Sequence, residues 1–171
     1  CGMIGKVGAD AFGALLLRTL AAHKIAYLGG QTDRAFTTLA FVSLDARGER
    51  SFSFARKPGA DTLLRADEIP YDQIKSARAF HFGTLSLTDE PAKSATFAAV
   101  RCALENGVLV TFDPNYRPML WQSADDARAA MRWGFAHADV VKAGADELAF
   151  AFGLPWEEAA QRLIEGGARL V

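Results

Sequence analysis

The chain has 171 residues, 50% hydrophobic and 23% charged, and its 19 Lys plus Arg against 20 Asp plus Glu leave a formal charge of -1. That is the make-up of one globular domain, with no overall field to draw in nucleic acid or an acidic membrane surface. No apolar run approaches the roughly 20 residues of a spanning helix, and no charged segment followed by an unbroken apolar stretch opens the chain, so transmembrane and secretory readings are disfavoured. Cys1 and Cys102 form no C-x-x-C pair, which excludes a zinc knuckle or dithiol motif and fits a reducing, cytoplasmic setting.

Met3 and Ile4 read as the tail of a strand. Gly2, Gly5, Gly8 and Gly13 around Lys6 have the look of a phosphate cradle, yet neither G-x-x-x-x-G-K-[ST] nor G-x-G-x-x-G is satisfied. A tight structural turn between strand and helix is the better reading. Phe12, Leu15, Leu16 and Leu20 recur at helical spacing behind a candidate N-cap at Asp10, which predicts a helix over about residues 10 to 22.

Thr37 to Asp45 and Arg50 to Arg56 are β-rich runs joined by Ala46-Arg47-Gly48-Glu49, which predicts a hairpin with Gly48 available for a positive φ. In the second run Arg50, Phe52, Phe54 and Arg56 share one face, and Ser51, Ser53 and Ala55 the other. Such a face lines a ligand site, covers the main sheet with its arginines snorkelling at the margin, or does both.

Three later stretches repeat a short β-rich run and a longer helix-rich one. They are Ala79 to Gly83 then Asp89 to Asn106, Val108 to Asp113 then Ser123 to His137, and Asp139 to Lys142 then Asp146 to Phe152. This alternation predicts an α/β fold built on a parallel sheet. Val108 to Phe112 is apolar almost throughout, as a central strand covered on both faces should be. Gly166 to Val171 reads as a helix stop and the start of another buried strand, so both ends are expected to be cut inside a larger fold.

The densest polar constellation is Asp113-Pro114-Asn115-Tyr116-Arg117, directly after the most apolar strand. Ligands of open α/β sheets collect outside the carboxyl ends of strands. Arg117 could fork onto a phosphate or carboxylate, and Asn115 could donate and accept at one site; a proline-stiffened loop with Arg117 paired to Asp113 is the plainer alternative. Lys142 and Glu147 follow the next strand and are expected at the same edge of the sheet. Glu147, read as a solvent-facing carboxylate, could organise a magnesium ion or simply favour the dipole of its helix. His23, His81 and His137 are dispersed without metal or triad partners, and Ser86 and Ser123 look like turn or cap residues.

Gly5-Lys6-Val7-Gly8, Thr38 to Val42, Phe54 to Asp61, Phe82-Gly83-Thr84-Leu85-Ser86, Asp113 to Arg117 and Val141 to Glu147 follow one another in an order that resembles the ribokinase-like (PfkB-type) carbohydrate kinases, nearest their fructokinase branch. The resemblance covers essentially all 171 residues. It implies a Rossmann-like three-layer α/β domain with residues 37–57 forming part of a small β lid, and ATP-dependent transfer of phosphate to a sugar hydroxyl with Mg2+. Phe54, Arg56 and Asn115 would then bind the sugar, Arg117 would stabilise the transferring phosphate and contact ATP, and Glu147 would serve the nucleotide phosphates and the metal. The implied partner is a small-molecule sugar, with a homodimer through the lid.

This chain departs from the resemblance at Gly144, where the family's N-x-x-E pattern has a side-chain donor. The family's early glycine and Asn motif would precede Cys1, and its G-A-G-D segment with the catalytic base Asp would follow Val171. The chain is therefore expected to be the middle of a sugar kinase, one incomplete domain that does not carry out the full reaction alone. A 2-keto-3-deoxygluconate kinase is the nearest rival, and a noncatalytic sugar-binding or regulatory relative the rival from another class.

Overall fold

The predicted alternation of short strands and helices is present in the computed structural model, which describes residues 1–171. The chain forms two units, Cys1–Pro70 and Tyr71–Val171.

In the first unit β1 (Gly2–Met3) pairs in parallel with β3 (Ala26–Tyr27), and β2 (Lys6–Gly8) with β4 (Gly30–Thr32). Helix α1 (Ala11–Ala22) follows β2, and Asp10 caps it: one carboxylate oxygen accepts from Gly13 N at 2.8 Å and the other from Thr37 N at 2.7 Å. Those two N–H groups hold the Asp10 carboxyl below its usual value of 3.8. Thr37 returns the contact, its Oγ1 accepting from Gly8 N at 2.9 Å.

The early glycines are packing residues, as the incomplete motif suggested. A Cβ on Gly13 would lie 2.1 Å from the Gly8 carbonyl oxygen, so only glycine lets α1 approach β2 this closely. Lys6 is tied to Glu68 at 2.6 Å and to the Leu63 carbonyl at 3.1 Å. Burial works against ionisation of Glu68, but Lys6 and the backbone N–H of Arg65 outweigh it and hold the carboxyl below its usual value. The periodicity located α1 but not its burial: Phe12, Leu15 and Leu16 are each about half exposed, and Gly13 is the buried residue of the helix.

The hairpin forms a two-stranded sheet of its own. β5 (Leu39–Leu44) and β6 (Arg50–Ala55) run antiparallel, and Gly48 takes φ +81° in the turn. Phe52 and Phe54 lie on the less exposed face of β6 with their rings stacked at 6.3 Å. Phe41, Val42 and Leu44 of β5 are exposed.

In the second unit a short α2 (Tyr71–Lys75) precedes a parallel sheet of order β7 (Ala79–Gly83), β8 (Leu109–Asp113), β9 (Val140–Val141). Helices α3 (Ala92–Glu105), α4 (Ala124–Ala136), α5 (Ala145–Phe152) and α6 (Trp156–Glu165) connect and flank it. Ser123 caps α4 by accepting from Asp126 N, as its position suggested. β8 is central, but its two faces differ from the expectation. Val110 and Phe112 are fully buried while Leu109 and Thr111 are half-buried, so the strand alternates.

Phe112 meets Phe82 at 4.7 Å and the edge of Phe135 at 5.2 Å. A Cβ on Gly134 would fall 2.3 Å from its ring, which explains why α4 carries a glycine where it crosses β8. Leu170 bridges in parallel to Val140, giving the further strand contact expected at the end of the chain, but it is exposed and not buried.

Candidate functional site

Strands β7, β8 and β9 are parallel, so Gly83, Asp113 and Val141 all end at one edge of the sheet. The loop leaving β8 is fastened there residue by residue. Asp113 pairs with Lys142 at 2.9 Å, and this contact, a charged hydrogen bond first and a Coulombic attraction second, pushes the Lys142 ammonium above its usual value of 10.5. The other Asp113 oxygen accepts from Asn115 N at 3.1 Å, an Asx-type turn that places Asn115 at φ +46°. Asparagine is among the few non-glycine residues that adopt this backbone readily.

Thr84, fully buried, gives both its N–H and its hydroxyl to the Pro114 carbonyl. No spacing in the sequence flags Thr84, because its role depends on the β7–β8 register. Tyr116 N then donates to Glu147 Oε1 at 2.7 Å, and Arg117 Nη1 donates to the Tyr116 carbonyl at 3.0 Å.

Glu147 is therefore not the solvent-facing carboxylate expected from sequence. It is half-buried in the first turn of α5, with Oε1 taken by Tyr116 N and Oε2 by Gly144 N at 2.8 Å. The Gly144 contact is the backward half of a capping box, whose forward half a glycine cannot supply. Each oxygen retains a free lone-pair direction, since a carboxylate has about four acceptor sites. Asn115, Arg117, Lys142 and Glu147 are thus gathered at the carboxyl edge of one sheet.

Phe54 and Arg56 belong to the first unit. Arg56 is 8% exposed, and its Nε and Nη2 both donate to Asp61 Oδ2, at 2.8 and 2.6 Å. Asp61 also accepts from the Thr38 hydroxyl. Asp61 thus ties the two sides of the hairpin root together, Thr38 before β5 and Arg56 after β6, a partnership the sequence pattern did not show. His81 bonds Thr111 Oγ1, and His137 bonds the Trp133 carbonyl and stacks on its ring. No three His, Cys, Asp or Glu side chains converge in a geometry that could hold a metal ion on their own.

The model of the pfkB family carbohydrate kinases matches residues 1–171. The chain is 45% identical over 148 residues to the probable fructokinase-6, chloroplastic, of Arabidopsis thaliana, which covers 86% of this chain and 38% of that protein. The fold matches the fructokinase with bound ATP from Xylella fastidiosa with a TM-score of 0.86 at 34% identity, covering 99% of this chain and 54% of that one. It matches the fructokinase from Vibrio cholerae O395 in its fructose, ADP and calcium bound form with a TM-score of 0.86 at 32% identity, covering 98% and 54%. The chain thus spans about half the length of these relatives, or less. With the family model matched from the first residue to the last, this chain belongs to the pfkB family of carbohydrate kinases.

Proposed function

We propose that the full-length protein carrying this chain transfers the terminal phosphate of ATP to a hydroxyl of fructose. The observation that carries this reading is the fastened Asp113–Arg117 loop beside Glu147, in a family whose similar members are fructokinases. ATP and fructose enter from the ligands named for the Xylella and Vibrio relatives. Among the residues here, Arg117 supplies a planar cation for phosphoryl oxygens and Asn115 a mixed donor and acceptor for the sugar.

Glu147 fits a magnesium ion held largely by water and nucleotide phosphate, because its oxygens already accept two N–H bonds and no protein carboxylate cluster surrounds it. The metal would neutralise charge on the phosphates. Phe54 and Arg56 serve the sugar from the hairpin, with residues 37–57 as part of a lid. The exposed Phe41, Val42 and Leu44 are the surface through which two such chains would pair. A cytoplasmic setting goes with this reading.

An ADP-release assay on the full-length protein with fructose, 2-keto-3-deoxygluconate, ribose and a nucleoside tests the proposal. Turnover is expected to be highest with fructose. Preference for the sugar acid would move the assignment to that kinase, and no turnover with any acceptor would leave a noncatalytic sugar-binding protein.

A further inference from the structure

Helix α5 is fixed at both ends, and it holds the site loop through Tyr116. At its start, Glu147 accepts from Tyr116 N. Three residues on, and so on the same face of the helix, Phe150 stacks on the Tyr116 ring with centroids 4.6 Å apart and planes 17° from parallel. Tyr116 therefore docks on α5 twice, once through its backbone and once through its ring.

The guanidinium of Arg128, on α4, lies over the same Phe150 ring at 4.7 Å, and its Nε donates to the Phe150 carbonyl at 3.2 Å. One turn further along α4, Arg132 Nε donates to the Ala151 carbonyl at 2.6 Å. Carbonyls in the last turn of a helix have no partner inside it, and that end is the negative pole. Two arginines spaced i, i+4 thus anchor the far end of α5 while its near end holds the loop.

We propose that Tyr116, Phe150 and Arg128 form a clamp that fixes the Asp113–Arg117 loop on α5 and so sets the positions of Asn115 and Arg117. They are positioning residues, since Asn115 and Arg117 flank Tyr116 and move with it. The catalytic half of this inference rests on the phosphotransfer reading; the structural half does not.

Two measurements on the full-length protein separate those halves. Hydrogen exchange at the Tyr116 amide reports the clamp directly, and steady-state kinetics with fructose and ATP report its effect on turnover. Stacked aromatic and cation–ring contacts of this kind correspond to about three- to tenfold in an equilibrium. Phe150→Leu and Arg128→Ala are each expected to speed Tyr116 exchange by about that factor and to lower kcat, with the fructose KM rising as well because Asn115 moves with Tyr116. Phe150→Tyr, which keeps the ring, is expected to restore both.

Arg128 has a side chain 39% exposed, so its replacement keeps the test open if Phe150→Leu folds poorly. Unchanged Tyr116 exchange in Arg128→Ala would overturn the clamp. Faster exchange with unchanged kcat would overturn its role in positioning, and a Phe150→Tyr protein as impaired as Phe150→Leu would reduce Phe150 to plain packing. If the wild type phosphorylates no sugar, the phosphotransfer reading fails by itself, and the exchange result still decides the clamp.

Discussion

Gly83 and Asp113 stand opposite each other in the β7–β8 register, and a Cβ on Gly83 would lie 2.7 Å from the Asp113 carbonyl oxygen. The obstacle is backbone, which cannot swing aside as a side chain tip would. Gly83→Ala is therefore expected to push the two strand ends apart where the site loop begins. Overpacking of this sort costs about 1–3 kcal/mol. Urea unfolding should show that loss, and the same variant in the full-length protein should lose kcat through displacement of Asp113 and Pro114.

Gly144 presents the opposite case. Its φ is -73°, and a Cβ there would meet nothing nearer than Glu147 Oε2 at 3.5 Å. Gly144→Ser should fold normally and supply the missing half of the capping box, a gain of a few tenths of a kcal/mol at an N-cap. A thermal melt slightly above wild type is the expected result. If magnesium acts beside Glu147, the added hydroxyl should also lower the magnesium concentration needed for half-maximal activity.

Arg117→Ala should lower kcat by about 100-fold and raise the fructose KM far less, because a cation aimed at phosphoryl oxygens is used most strongly in the transition state. A raised fructose KM with kcat unchanged would place Arg117 in ground-state sugar binding instead. Glu147→Gln should raise the magnesium requirement. It should also loosen the loop, because one amide end cannot accept from both Tyr116 N and Gly144 N. Faster exchange at whichever amide loses its acceptor would check this.

Asp10 makes the first unit sensitive to acid. Its folded carboxyl is held below the ordinary 3.8 by the N–H groups of Thr37 and Gly13, so its contribution is complete above that value and is lost as the pH falls through the folded one. Asp10→Asn keeps a capping oxygen that does not titrate. The stability difference between wild type and Asp10→Asn, from urea midpoints at a series of pH values, should shrink as the pH drops below about 4.

The sequence pattern located the elements whose signals are local. Asp10 and Ser123 announce α1 and α4 because a capping side chain acts within three residues, and Gly48 announces the hairpin because the turn requires its φ. Strands of two or three residues such as β3 and β4 are too short to carry a periodicity. Within the site, the loop and Glu147 stood out as polar groups at strand ends. The bond between them spans 31 positions and depends on register, as does the grip of Thr84 on Pro114. The periodicity of Phe12, Leu15 and Leu16 likewise specifies a face without specifying what covers it.

The Arg56–Asp61 pairing gives the hairpin the mechanics of a lever. Its root is fastened where β6 ends, while its tip closes only on itself, with Asp45 Oδ1 accepting from Arg47 N and Glu49 N. The six residues of β5 make an arm of about 20 Å at strand spacing. A swing of about 10° at the root would carry the tip about 3.5 Å over such an arm and leave the residues beside Arg56 almost in place. Any rotation about the root would therefore displace Gly48 most and Phe54 least.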